Sequence, residues 1–316
     1  MIYDVIGDIH GQADKLIGLL TQLGYVDNGK FFAPPPNHQA VFIGDLIDRG
    51  RQELKTLEIV FAMLDNGSAL AVMGNHEYNA LAFATSDKRN SSEYLRSHNK
   101  PSNVTQHQAF LDEVGFDSEL HHFWLKRFFE LPLWLELDNV CFVHACWDGE
   151  AMAVLQPLLT ADNRLTDEAL QLTSYQGTTE FEALERVLKG VETRLPDGHF
   201  YLDKEGTKRK KVRVQWWLPE LKQPNARLPI HHVARAGQSD LLHIPVETLA
   251  DEIDFRLTTD KFVFVGHYWL TGVPQPLSEQ VVCVDYSAVK GGYLTAYQFD
   301  TDNPSLSADN FVQYIY

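Results

Sequence analysis

Three short apolar runs near the N-terminus, Tyr3–Ile6, Ala40–Ile43 and Ala69–Met73, each stop abruptly at a polar cluster. Runs of this kind, bounded by turn residues, suit strands buried on both faces. The stretches between them have helical spacing. Gly11 to Gly24 carries Leu16, Leu19, Leu20 and Leu23 along one side, with Gly24 placed to end the helix. Asp27-Asn28-Gly29 and Pro34-Pro35-Pro36 then mark a loop, and Arg51 to Asn66 forms the next helix, ended by Asn66-Gly67. A third helix is expected from about Tyr78 to Thr85. Three strand–helix units in succession predict a layered α/β fold with a parallel sheet, and the polar clusters fall along one edge of that sheet.

Ser86 to Asn103 is polar and reads as a loop or cap, followed by helical patterns over Thr105–Val114 and Ser118–Phe129. Leu133–Leu137 and Val140–Val143, separated by Asp138-Asn139, read as a hairpin that delivers His144 at its end. Beyond Glu150 the pattern weakens. Thr166–Thr173 and Thr179–Leu188 have helical spacing, a charged run extends from Lys204 to Lys211, and Val212–Trp217 is strand-like. Strand character returns in Phe262–Val265, ending at Gly266-His267, and in Val281–Val284 and Leu294–Phe299. The expected organisation is one domain over 1–316, with 150–260 as a substrate-selecting insert within it.

Composition narrows the function. A chain of 316 residues that is 44% hydrophobic can bury a sizeable core. No run reaches the roughly 18 apolar residues of a membrane span. Met-Ile-Tyr-Asp also lacks the cationic lead of a signal peptide, so a cytoplasmic location without a membrane is expected. Cys141, Cys146 and Cys283 are too few for a complete set of disulfides, and the first and last read as small buried hydrophobes. The net charge of −16 disfavours long nucleic acid as a partner, because phosphate neutralisation drives such binding. A small phosphoester is not disfavoured, since one local positive site can attract it.

The polar clusters are Gly7-Asp8-Ile9-His10-Gly11, Gly44-Asp45-Leu46-Ile47-Asp48-Arg49-Gly50 and Gly74-Asn75-His76-Glu77, with His144 and His267 further along. Asp8, His10, Asp45, Asn75, His144 and His267 offer oxygen and imidazole nitrogen but no thiolate, a set suited to Mn, Fe, Zn or Ni. Using them all takes two divalent ions. Asp45 is the natural bridge, with Asp8 and His10 on one side and Asn75, His144 and His267 on the other. Such a site stays net positive with a shared hydroxide and attracts phosphate, and ions about 3.5–4 Å apart bring a shared water toward a pKa of about 7. Arg49 offers a planar fork for phosphoryl oxygens. His76 is placed to protonate a leaving oxygen, with Asp48 to hold its imidazolium.

Gly-Asp-x-His-Gly, Gly-Asp-x-x-Asp-Arg-Gly and Gly-Asn-His-Glu in this order, then Val-His and Gly-His, resemble the calcineurin-like metallophosphoesterases. The likeness is to their phosphoprotein-phosphatase branch, with its bacterial protein phosphatases and symmetrical diadenosine tetraphosphate hydrolases. It implies a four-layer α/β/β/α sandwich with mixed sheets at its centre. Asp8, His10 and Asp45 would hold a first metal, and Asp45, Asn75, His144 and His267 a second. Arg49 would be a phosphate clamp and His76–Asp48 the acid pair. The resemblance covers about 1–150 and 261–300, including Val284-Asp285-Tyr286-Ser287, where Tyr286 is expected to line the site. The family's second phosphate-binding arginine finds no counterpart in the middle region. Leu188-Lys189-Gly190-Val191-Glu192 is similar to a Lys-Gly-x-Glu element of some bacterial members, including phosphatase modules of RNA-repair enzymes, which makes Lys189 an expected phosphate contact.

Other features have plainer readings. His121-His122 and His231-His232 are adjacent pairs whose side chains diverge, so they read as structural. Lys208–Lys211 reads as a solvated loop, and Trp216-Trp217 as core or pocket wall. The expected activity is hydrolysis of phosphomonoesters, as in Ser/Thr or Tyr phosphoproteins, by direct attack of metal-bound hydroxide without a phosphoenzyme. Symmetrical dinucleoside tetraphosphate hydrolysis and phosphate removal from nucleic-acid ends use the same machinery. A metal-free binding scaffold should have lost ligands, and none of the six is missing.

Overall fold

The computed structural model describes residues 1–195, 197–202, 208–218, 255–289 and 291–315. Ile2–Ile6 runs parallel to His38–Phe42, which runs parallel to Ala69–Ala71. On its other side Ile2–Ile6 pairs antiparallel with Leu294–Asp300, which pairs antiparallel with the C-terminal strand Phe311–Tyr314. A second sheet orders Val281–Cys283, Phe262–Val265, Val140–Val143 and Trp134–Glu136, with only the last pair antiparallel. Two mixed sheets therefore stand where the N-terminal pattern alone implied one parallel sheet.

Side-chain alternation explains why the sheets stack. Val5, Val41, Ile43 and Val72 of the first sheet pack with Val140, Phe142, Phe264 and Val282 of the second in one buried cluster. Their neighbours Ile6, Phe42, Cys141, Val143, Val263, Val265 and Cys283 belong to a separate cluster with the helices. Residues one apart on a strand point to opposite faces, so each sheet is covered on one side by its partner and on the other by helices. Phe264 links the layers, with ring centroids 5.7 Å from Phe142 and 5.2 Å from Phe299.

Helices α1 (Ala13–Gln22), α2 (Glu53–Asp65) and α3 (Asn75–Ala84) follow the first three strands. Helix α3 begins three residues earlier than its spacing suggests, because Glu77 reaches back to the Gly74 N–H as its cap. The polar stretch after it is not a simple loop. It forms a hairpin, Ser86–Asp87 with Asn90–Tyr94, before α4 (Pro101–Val114) starts on a proline suited to a first helical turn. Helix α5 (Glu119–Phe128) is capped by Ser118. Helix α6 (Gly149–Leu155), which the sequence pattern does not reveal, is capped by Asp148 through Glu150 and Ala151. Helices α7 (Asp167–Thr173) and α8 (Thr179–Lys189) follow on threonine caps.

The strand-like 212–217 stretch shortens to Lys211–Arg213, paired with Glu192–Arg194, and Lys208–Arg209 is an exposed strand rather than a loop. The earlier part of the charged run, 204–207, and His231-His232 lie outside the described residues. All three cysteines are free and buried. No described helix is long and apolar enough to cross a membrane.

Candidate metal centre

The site is assembled by loops that leave adjacent strands and touch backbone to backbone. A Cβ on Gly44, where φ is +82°, would lie 2.3 Å from the Gly74 nitrogen, and one on Gly7 would lie 2.1 Å from the Val284 carbonyl oxygen. Only glycine allows these approaches. Five site residues, His10, Asp45, Asp48, Arg49 and His267, also take positive φ between 49° and 75°. Each such turn costs an L-residue on the order of 1 kcal/mol. Two buried carboxylates hold the turns in place. Glu77 accepts from Asp45, Leu46 and Gly74 N–H at 2.9, 2.8 and 2.9 Å, and Glu53 from Asp48 and Gly50 N–H at 2.7 and 3.0 Å.

These loops bring all six expected ligands to one place. His10, Asp45 and His76 offer donor atoms within 4.8 Å of one another, and so do Asp45, His144 and His267. Asp45 is common to both groups, with Oδ2 3.7 Å from His10 Nε2 and Oδ1 3.4 Å from His144 Nε2. Asn75, now in the first turn of α3, has Oδ1 3.3 Å from His144 Nε2. Asp8 joins through the His267 backbone N–H, at 3.2 and 3.1 Å from its two oxygens. One departure from expectation is that His76, not Asp8, completes the compact group around His10.

Backbone carbonyls aim the imidazoles. His10 Nδ1 donates to Ile47 O at 2.7 Å and His144 Nδ1 to Ile43 O at 2.6 Å, so each Nε2 is turned toward the centre. Both ring nitrogens of His267 are buried, without a hydrogen-bond partner among the described residues. A buried imidazole left unpartnered beside two carboxylates is what a cation ligand looks like before its ion is considered. Charge agrees. Burial pushes Asp8 well above the usual carboxylate range, helped by Asp285 and Asp45 nearby. Burial opposes charge on His144 too, but the carboxylates of Asp45 and Asp8 prevail and raise it to about 10. Burial also lowers His10 and His267, reinforced by Arg49 and Arg213 respectively. Burial thus keeps the ring nitrogens of His10 and His267 free of protons, while the carboxylates around His144 call for positive charge, and the residues fit a pair of divalent cations.

Arg49 spans the centre, with Nη1 3.0 Å from His10 Nε2 and Nη2 3.1 Å from His76 Nε2. His76 Nδ1 lies 2.5 Å from Asp48 Oδ2, which turns its Nε2 inward. A shallow cleft is lined by His10, Arg49, Trp269 and Asp285, among others. Trp269 carries Arg49 on its ring at 4.8 Å and Arg213 at 5.7 Å.

Two sequence expectations fare differently. Tyr286 is buried away from the cleft, its hydroxyl accepting from the Gln275 N–H and its ring packed on Phe311. Its neighbours Asp285 and Ser287, in the turn after Val281–Cys283, line the cleft instead, with Ser287 at φ +59°. Lys189 is close enough for its charge to bear on His267, but it is ion-paired with Glu185 one helical turn earlier. Sequence reasoning missed Arg213, whose Nε is buried without a hydrogen-bond partner. Its only sequence signal was the alternation that buries Val212, and that does not separate it from the basic run just before it. Glu53 and Glu77 were missed as well.

Comparison with known proteins agrees with this geometry. A family model described as calcineurin-like phosphoesterase matches residues 1–151. Bis(5'-nucleosyl)-tetraphosphatase PrpE (asymmetrical) of Oceanobacillus iheyensis is 27% identical over 140 residues, 44% of this chain and 53% of that protein. Its namesake in Anoxybacillus flavithermus is 41% identical over 76 residues, 24% of this chain and 31% of that protein. The matched stretch thus spans about half or less of these relatives. A solved protein serine/threonine phosphatase of Saccharomyces cerevisiae, described as similar to human phosphatase PP5, shares the fold. It aligns with a TM-score of 0.51 and 14% identity, covering 99% of this chain and 79% of its own. The first three motifs lie inside the matched residues and the remaining strands complete the sandwich, so residues 1–151 of this chain are similar to the calcineurin-like phosphoesterases.

Proposed function

We propose that this chain is a binuclear metal-dependent phosphoesterase that hydrolyses phosphomonoesters in the cytoplasm. The observation that carries the reading is the pair of donor groups sharing Asp45 beneath the Arg49 guanidinium. Asp8, His10 and Asp45 would hold one divalent ion, Mn above all, and Asp45, Asn75, His144 and His267 the other. Bound ions supply positive charge to a phosphoryl oxygen and bring a water near neutral pKa.

The chain's own groups do the rest. Arg49 takes two phosphoryl oxygens in its planar fork, released from the imidazole nitrogens it now spans. Arg213, which also lies on the Trp269 ring, serves as a second phosphate contact, with Lys189 contributing field rather than a free ammonium. His76 Nε2 faces the leaving oxygen and delivers its proton, while Asp48 fixes the ring from behind. Residues 150–260, which contribute Lys189 and Arg213, select the substrate within a single domain.

A second reading has a specific support: the relatives matched in the motif region are named asymmetrical bis(5'-nucleosyl)-tetraphosphatases. The same groups would then cleave a phosphoanhydride, and off-centre rather than symmetrically. A panel of Mn-loaded protein with an aryl phosphate, phosphopeptides, diadenosine tetraphosphate and 3′-phosphorylated oligonucleotides tests both. Hydrolysis of the aryl phosphate and phosphopeptides, abolished by Asp45→Asn and by His144→Ala, is expected. Selective turnover of diadenosine tetraphosphate would favour the second reading, and no hydrolysis of any member would refute both.

A further inference from the structure

Helix α4 contributes a residue to the site that no motif contains. His107 is 2% exposed, and its Nδ1 lies 2.9 Å from Asp48 Oδ1, across 59 residues of chain. The other oxygen of the same carboxylate holds His76 Nδ1. A carboxylate accepts only, so both imidazoles carry hydrogen on Nδ1, and Asp48 is gripped from both sides. The His107 ring is itself fixed, edge-on to Phe83 at 5.3 Å and tilted against Phe110 at 5.2 Å, and among the described residues its Nε2 has no partner. Among those residues its one side-chain polar bond is the one to Asp48.

We infer that His107 is a positioning residue that locks the Asp48 carboxylate and so aims His76 at the leaving oxygen. Asp48 sits at φ +70°, on a turn that local sequence does not favour. Its backbone is held by Glu53, and among the described residues its carboxylate oxygens are held by the two imidazoles. Without His107, Oδ1 faces the apolar wall of Phe83 and Phe110, and the carboxylate turns to find another donor, taking His76 out of line. A displacement near 1 Å suffices to lose much of a positioned group's contribution. The inference rests on the proposed role of His76.

Asparagine and leucine separate positioning from packing. Asn carries an amide N–H near the place of Nδ1, Leu fills the space without a donor, and Gln carries its donor further out. His107→Leu and His107→Gln should lower kcat on phenyl phosphate by about 10–100-fold, a share of what general acid catalysis provides. On 2,4-dinitrophenyl phosphate, whose leaving group needs no proton, the loss should stay within about 3-fold, with KM little changed. His107→Asn should stay near wild type on both. Imidazole NMR gives an independent readout: the downfield Nδ1–H resonance of His76 should be lost in the Leu variant and kept in the Asn variant. Equal losses on the two esters, or an unchanged His76 resonance in His107→Leu, would overturn the inference. If the wild-type protein hydrolyses neither ester, the proposed function falls, and the NMR comparison alone decides whether His107 positions His76. Should the Leu variant not fold, the contrast between Gln and Asn serves the same test.

Discussion

Replacing Glu77 by alanine should damage the metal centre without touching any ligand. The carboxylate accepts four backbone N–H groups, from Asp45, Leu46 and Gly74 at 2.8 to 2.9 Å and from Ile47 at 3.3 Å, and lies fully buried. Leaving a buried donor unmet costs about 1–3 kcal/mol, so losing the three short bonds costs about 6 kcal/mol at the middle of that range. Part is returned, because burial and the nearby Asp45 push Glu77 up from 4.5 to about 7. Above neutral pH the folded protein carries that penalty, about 3 kcal/mol, and alanine relieves it. The net loss at pH 8 is about 3 kcal/mol, large for one residue. The same N–H groups set the turn that aims Asp45, so affinity for added Mn should fall by at least about 10-fold, as for other supports behind a ligand. Urea unfolding at pH 8 and metal titration followed by thermal shift measure the two effects. A loss below about 1 kcal/mol together with unchanged Mn affinity would refute the idea that this carboxylate clasps the two loops.

Further outcomes follow from the same structure. His121 accepts the Asp117 N–H on Nδ1, and burial together with His107 and His122 lowers it to about 4, so the folded state resists a proton that the unfolded chain takes up near 6.5. The resulting stability is fully present above about 6.5 and lost as pH falls toward 4. Between pH 7 and pH 4.5 the wild type should therefore lose about 2 kcal/mol more than His121→Asn in urea unfolding. Chelation with EDTA should lower the thermal midpoint by about 5 °C, and Mn at 100 times its Kd should restore it, the equivalent of about 2.7 kcal/mol. Arg213→Ala should reduce kcat/KM on an aryl phosphate by about 10–100-fold, the worth of one charge-assisted hydrogen bond, while Lys189→Ala should have a smaller effect because Glu185 already pairs that ammonium. Both are read by steady-state kinetics.

Much of this protein was legible in its amino-acid order, because the relevant signals are local. Apolar runs such as Ala40–Ile43 announce buried strands, and a polar cluster directly after such a run must emerge at the strand's end, which is why Asp8, His10, Asp45 and Asn75 were found together. The start of α3 was misplaced because Glu77 caps it through Gly74, a contact that spacing does not encode. The resemblance of its segment points Tyr286 at the cleft, but the turn after Val281–Cys283 places Asp285 and Ser287 there and buries Tyr286 against Phe311, a conformation that the segment's sequence does not reveal.

What tertiary structure alone decided is which distant groups meet. Packing one sheet face to face with the other brings His144 and His267 from the second against the loops of the first, and lays Arg213 and Arg49 on Trp269. It also sets His107 of α4 behind Asp48. Periodicity along a chain records which way each side chain turns from its own backbone. Partners far apart in sequence are chosen by register and by the burial of two apolar sheet faces against each other, and no local pattern carries that choice.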